Sequence, residues 1–283
     1  MNPPTLTVLA PGLLGASVAQ AARRYRAAGR IKVWARRPET RLALQQVDWC
    51  DQVCATPGEA TADSDIIVVC TPVERIVPLI REVSDTLSAT AIVTDVGSVK
   101  GEICRFASAA LSKGARFVGS HPMAGSEKSG MDHADPELFR ERACFVTPLD
   151  DTPVEATERI AAFWNQLGAE VVTMHPDLHD EVVAHVSHLP HLAASALCNL
   201  LARRTPNWHL YAGGGLRDTT RVASGNPSLW VQILLENRDE ILRALSAYQD
   251  EIQAFQTALA NRDTLQLRAY LERGKAYRDQ FRS

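Results

Sequence analysis

The sequence predicts an α/β protein in two parts, a doubly wound, mostly parallel sheet followed by an all-helical half. Three observations predict it. Short apolar runs alternate with helix-like stretches through residues 1–174. The first of these runs leads into a glycine turn and then a helix-like run, the order that a phosphate-binding crossover needs. After Met174 the strand signals stop, and long helical patterns fill residues 175–283.

Taken in order, residues 6–9 form the first strand, and Ala10-Pro11-Gly12-Leu13-Leu14-Gly15 the turn into a helix over 16–28. Gly12 lets the chain approach a pyrophosphate closely, and Gly15 lets helix and strand pack tightly. The first position of the turn, glycine in the usual fingerprint, is Ala10. Strand order and turn together give a Rossmann-like, dinucleotide-binding half. Further strands are expected at 31–35, at 66–70 before Thr71-Pro72, and at 91–94 before Asp95-Val96-Gly97-Ser98. Two more follow at 117–118 and 143–147, with the polar stretch 120–130 between them read as a loop, and 171–174 closes the series. Ligands of such sheets sit beyond the carboxyl ends of the strands, where Thr71, Ser98 and His121 fall. Gly12, Leu13, Leu14, Gly15, Thr71 and Pro72 form the expected cofactor-binding set. The helical half reads as 178–201, 229–260 and 264–280, with Gly-Gly-Gly at 213–215. It is too thin for a large core of its own, so a homodimer through it is expected, with the domains at 1–174 and 175–283.

Bulk properties narrow the function. The chain has 283 residues, 46% of them hydrophobic and 22% charged, with a net charge of −3. That composition is ordinary for a globular protein and gives no support to nucleic acid or an anionic membrane as a partner. No apolar run approaches the ~18 residues of a spanning helix, and the N-terminus lacks a secretion pattern, so a cytoplasmic protein acting on a small molecule is expected. The six cysteines lack a CxxC spacing and read as free thiols.

His121 lies in Ser-His-Pro-Met-Ala-Gly-Ser-Glu-Lys-Ser-Gly at 120–130. A histidine can take a proton at neutral pH, as hydride removal from a hydroxyl-bearing carbon requires. The alternative is a polar loop in which His121 only bonds the backbone. After the second strand, where a carboxylate would bind a ribose 2′-hydroxyl, stand Arg36 and Arg37. Two guanidiniums suit a 2′-phosphate, so NADP is expected over NAD, with NAD still usable; the alternative is that both are solvated surface charges. His175, His179, His185, His188 and His191 invite a metal reading, but Pro190 interrupts them and no His-Glu-x-x-His pattern is present, so no metal is expected. His188 and His191 are better placed to bind a substrate carboxylate or hydroxyl, while His175 and His179 read as caps. Arg221 can clamp a carboxylate with its planar fork, and Trp230, Glu236 and Asn237 border the same region.

Five stretches together carry a resemblance: Gly12 to Ser17, Thr94 to Lys100, Ser120 to Gly130, Ser187-His188-Leu189-Pro190-His191 and Asp218 to Arg221. The chain resembles the prephenate and arogenate dehydrogenase family of tyrosine biosynthesis, over nearly its whole length. The resemblance implies a dinucleotide-binding domain joined to a helical dimerisation domain, and oxidative decarboxylation of a cyclohexadiene. It assigns His121 to the ring hydroxyl, Ser98 to a place beside it, Arg221 to a substrate carboxylate and His191 to the pocket wall. Glu127 matches an acid that gates or organises the site, with Ser126 beside it among the substrate contacts. Ala10 and the arginines at 36–37 depart from the family pattern. The length leaves no room for a fused mutase or regulatory domain, so any tyrosine feedback is expected at the active site. The rival readings are another two-domain hydroxyacid or imino-acid oxidoreductase, and a non-catalytic NADP-binding sensor.

Overall fold

The computed structural model describes residues 3–111, 114–124, 130–204 and 206–281. The first half runs β1 (Thr5–Leu9), α1 (Leu13–Arg24), β2 (Arg30–Trp34), α2 (Pro38–Leu44), β3 (Gln52–Val53), α3 (Pro57–Thr61), β4 (Ile66–Val69), α4 (Val73–Val83), β5 (Ile92–Asp95), α5 (Gly101–Ala110) and β6 (Arg116–Phe117). Its six strands form one sheet in the order β3-β2-β1-β4-β5-β6, and every pairing is parallel. This is the doubly wound dinucleotide-binding order, which puts the crevice beyond the ends of β1 and β4.

Helices cover both faces, so the central strands are apolar on both sides. Leu6, Val8, Ile66 and Val68 point into a core completed by Ile160, Phe163 and Trp164. Leu9, Ile67 and Val69 point into the opposite core with Ile76, Ile80 and Phe117.

The chain continues with β7 (Gly119–Pro122), β8 (Ala143–Thr147), α6 (Val154–Gln166) and β9 (Glu170–Thr173). These strands make a second sheet, with β7 antiparallel and β9 parallel to β8. The expected single sheet is therefore two, and the expected loop at 120–130 opens with a strand that carries His121 opposite Phe145. The polar residues of β7 hide it from a hydrophobic pattern, because their partners are buried polar groups. Ser120 Oγ, for example, lies 2.7 Å from Thr94 Oγ1. Gly119 is required at its start: a Cβ there would lie 2.5 Å from Thr147 Oγ1 and 2.6 Å from Cys104 Sγ.

The helical part contains α7 (Pro176–Val183), a π-helical turn at Ala184–His188, α8 (Leu189–Arg204), a 3-10 turn at Pro206–Tyr211, α9 (Gly214–Thr220), a 3-10 turn at Arg221–Ser224, α10 (Pro227–Glu236), α11 (Arg238–Ala260) and α12 (Thr264–Arg278). The π turn sits just before Pro190, which lacks an N–H and crowds the carbonyl four residues back. The helix expected over 229–260 is two helices. Asn237 separates them, buried and with its side chain turned inward. Met1–Asn237 forms one compact unit and Arg238–Ser283 another. Within the second, the Phe255 and Tyr270 rings lie 5.2 Å apart and join α11 to α12. Among the described residues no helix is long and apolar enough to cross a membrane.

Candidate active site

The glycine turn behaves as its residues require. Ala10 N donates to Trp34 O at 2.8 Å, which fixes the turn against β2. Its φ is +66°, the left-handed region where a Cβ costs about 1–2 kcal/mol, so alanine at the first glycine position is strained. A Cβ on Gly12 would meet nothing within 4 Å, which leaves open space at the start of α1, whereas one on Gly15 would lie 3.0 Å from Cys70 Cβ and 3.1 Å from Val8 Cγ1. Gly12 thus admits a ligand to the backbone and Gly15 packs helix on strand. No side chain caps α1, so the N–H groups of its first turn, including Leu13 and Leu14, are available to an anion. Beyond β4, Thr71 Oγ1 is buried without a hydrogen-bond partner among the described residues, and Pro72 opens α4. Arg36 and Arg37 are exposed just past β2, where Arg37 occupies the N-cap of α2.

His121 lies at the centre of a buried polar chain. Its Nδ1 is 2.9 Å from His179 Nε2, and His179 Nδ1 is 2.8 Å from Asp180 Oδ1. Asp180 is held in turn by the start of α5, where Lys100 N donates to Oδ1 at 2.7 Å and Gly101 N to Oδ2 at 2.8 Å. A second network stands beside it. The fully buried Lys100 ammonium pairs with Asp95 and donates to Ser120 O at 3.0 Å, and Asp95 accepts from Gly97 N and Ser120 N. Together these bonds tie the turn that carries half-buried Ser98 to the strand that carries His121. Burial holds the His121 pKa well below the ordinary histidine value, and His179, Lys100 and His188 press in the same direction. His121 is therefore a neutral imidazole at pH 7.

The helical side contributes His188 and His191. His188 Nδ1 lies 3.2 Å from Asn237 Nδ2, which also donates to Asp180 O at 2.8 Å. Burial pushes the His188 pKa down to about 4. His191 stacks on Trp230 with ring centroids 3.6 Å apart, and both its ring nitrogens are buried without a partner among the described residues. Gly225 permits that stack, since a Cβ there would lie 2.4 Å from Trp230 Nε1 and 3.2 Å from His191 Nε2. Arg221, exposed, opens the 3-10 turn that leads to Gly225. Glu236 is exposed at the end of α10, and partial burial with Glu102 and Glu74 nearby raises its pKa. Among the described residues no group of His, Cys, Asp and Glu has the arrangement of a metal site.

Residues 18–173 match the family described as "Prephenate dehydrogenase, nucleotide-binding domain", and residues 175–273 match "Prephenate dehydrogenase, dimerization domain". The chain belongs to the prephenate dehydrogenase family. It is 31% identical over 279 residues to the prephenate dehydrogenase of Bacillus subtilis, covering 97% of this chain and 75% of that one. The A. aeolicus prephenate dehydrogenase, solved with hydroxyphenyl propionate and NAD+, superposes with a TM-score of 0.91 at 30% identity over 99% of each chain. The Synechocystis arogenate dehydrogenase gives a TM-score of 0.88 at 31% identity over 98% of this chain and 99% of that one.

In this member of the prephenate dehydrogenase family, His121, Ser98, His188, His191 and Trp230 all fall in the first compact unit, as does Arg221. Ser126 and Glu127 lie outside the described residues. His175 is the cap it was expected to be, accepting from Asp177 N at 3.3 Å. His179 is not a cap. It is buried against His121, 58 positions away in sequence, and local spacing cannot reveal such a contact. Asp180, Lys100 and Asp95 were missed for the same reason. The local signals were the adjacency of His179 and Asp180, and the two charged residues that bracket the turn Val96-Gly97-Ser98-Val99.

Proposed function

We propose that this chain oxidises and decarboxylates prephenate or arogenate, with hydride passing to a nicotinamide dinucleotide. One observation carries the reading: a buried, neutral His121 whose Nδ1 is engaged by His179, so that Nε2 is the nitrogen left for a substrate hydroxyl. The bound cofactor would take hydride from the ring carbon that bears this hydroxyl. His121 Nε2 accepts the hydroxyl proton as the C–H bond breaks. The bond to the ring carboxylate then breaks, its electron pair passes through the ring to the new carbonyl oxygen, carbon dioxide leaves, and His121 returns its proton to that oxygen to give an aromatic phenol. In this reading Ser98, on the turn between β5 and α5, supports His121 at the ring hydroxyl, and Arg221 supplies a cation for a substrate carboxylate, with His188, His191 and Trp230 closing the helical side.

The dinucleotide fits the residues present. Gly12 and the uncapped first turn of α1 would hold the pyrophosphate, and the orphaned Thr71 Oγ1 offers a polar contact beyond β4. NADP is the preferred form in this reading, because Arg36 and Arg37 are exposed just past β2 and form no ion pair with a carboxylate among the described residues. The functional division lies near residue 174, and the helical part pairs two copies of the chain.

Absorbance at the reduced-nicotinamide band, followed with prephenate and arogenate and with each cofactor, tests the reaction. A rise with at least one pair is expected, and His121→Asn should lower it by about 10²–10⁴-fold with little change in KM. Silence in all four pairs, or near-normal turnover by the variant, rejects the reading. Arg36→Ala with Arg37→Ala should weaken NADP far more than NAD; equal weakening rejects the 2′-phosphate assignment.

A further inference from the structure

We propose that His179 and Asp180 are positioning residues that set the tautomer of His121 and balance the charge it gains, forming a directed chain Asp180–His179–His121–substrate. The proposal rests on the reaction assigned above and extends it to residues outside the contact set. Its direction follows from donors and acceptors once His179 is neutral, the form that its burial favours. Backbone N–H groups can only donate, and both Asp180 oxygens already accept one, from Lys100 and from Gly101. Asp180 Oδ1 is therefore the acceptor towards His179, and His179 Nδ1 carries the proton of that 2.8 Å bond. A neutral imidazole with Nδ1 protonated presents a lone pair at Nε2. The 2.9 Å bond must then be donated by His121 Nδ1, which leaves His121 Nε2 without a proton.

Asp180 is fixed firmly enough to impose this order. Its side chain closes the N-terminus of α5, a favourable place for an anion, and its carbonyl is held by Asn237 Nδ2 at 2.8 Å. Gly101 leaves room for it: a Cβ there would lie 2.9 Å from Asp180 Oδ2. When His121 takes the substrate proton it becomes an imidazolium, and its Nδ1–H bond to His179 points the new charge at the Asp180 carboxylate. The other groups facing His121 oppose that charge or are already paired. Lys100 is cationic but neutralised by Asp95, and His188 is held by Asn237. Asp180 is thus the anion aligned with the proton that His121 acquires. The pattern is that of a histidine base oriented by a buried carboxylate, with one further imidazole inserted between them.

Two measurements test it. In protein labelled with ¹⁵N-histidine, long-range ¹⁵N–¹H spectra report which ring nitrogen of each imidazole is protonated, and loss of one pattern in His121→Asn assigns His121. Nδ1 protonation at neutral pH is expected; Nε2 protonation overturns the proposal. In kinetics, His179→Gln places an amide oxygen where His179 Nε2 stood, whereas His179→Asn keeps a donor towards Asp180 and leaves His121 Nδ1 unpaired. His179→Asn should lose roughly 10²-fold in kcat with KM within about threefold, and His179→Gln should recover at least about tenfold of that loss. Asparagine matching or exceeding glutamine overturns the proposal, since a purely structural role through Asp180 favours asparagine. The tautomer is read without turnover. A failed chain therefore shows Nε2 protonated in an enzyme that still works, while a failed reaction assignment shows no turnover with either substrate.

Discussion

Burial moves four histidines in the same direction. His121, His179, His188 and His191 are all held below the ordinary histidine pKa, with desolvation as the leading cause in each. For a base this is useful, because His121 stays ready to accept a proton well into the acid range. For the fold it is a liability. An unfolded His188 takes up a proton near 6.5, whereas the folded one resists until about 4. Below pH 6.5 the unfolded state thus binds more protons, so stability falls as pH falls, and the loss is complete below about 4. That interval corresponds to about 3 kcal/mol from His188 alone. We expect the urea midpoint to drop steadily from pH 7 to pH 4, and to drop less steeply in His188→Gln. Parallel slopes in the two proteins would show that His188 does not carry this cost. The other three histidines act in the same sense in both proteins, so the difference in slope reports His188 together with its coupling to His121.

At the scale of elements, the turn between β5 and α5 is where two networks meet. Asp95 ends the strand, Lys100 precedes the helix, and their fully buried pair spans the turn that carries Ser98. Removing one member of a buried pair leaves the other charge uncompensated, which costs about 3–5 kcal/mol. Lys100→Met should therefore lower the unfolding free energy, measured by urea denaturation, by that amount, and adding Asp95→Asn should restore much of it, because the stranded carboxylate is gone. A double variant no more stable than the single one would mean that the pair contributes through packing alone. Such a pair is hard to read from sequence, and it shows where legibility stopped. Strand, glycine turn and helix at 5–24 were readable because buried strands are apolar and Gly15 has a packing reason to be glycine. The strand bearing His121 was not, because Ser120 is satisfied by Thr94 and Asp95, and His121 by His179, on distant segments. The break at Asn237 was hidden in the same way, since its role is to bond Asp180 and His188 rather than to end a pattern.

At the scale of the whole molecule, apolar surface is distributed unevenly. Within the unit formed by α11 and α12, the described hydrophobic side chains that are buried are Ile241, Ala244 and Ala258. Leu242, Tyr248, Ile252, Leu259, Leu265, Leu271 and Tyr277 are exposed there, Leu265 at 80% and Leu271 at 65%. A helical hairpin with so small a core gains too little from burial to offset the entropy of ordering its chain. Covering several leucines with a second copy adds about 1.5–3 kcal/mol for each side chain fully buried, enough to make hairpin and dimer form together. The match of residues 175–273 to a dimerization domain supports this reading. Sedimentation at micromolar concentration should therefore find a dimer of the wild-type chain. Leu265→Glu with Leu271→Glu places two charges on that apolar surface and should yield a monomer with a lowered Tm. A wild-type monomer, or a double variant that stays dimeric with its Tm unchanged, would mean that these leucines face water and that the hairpin is stable by other means.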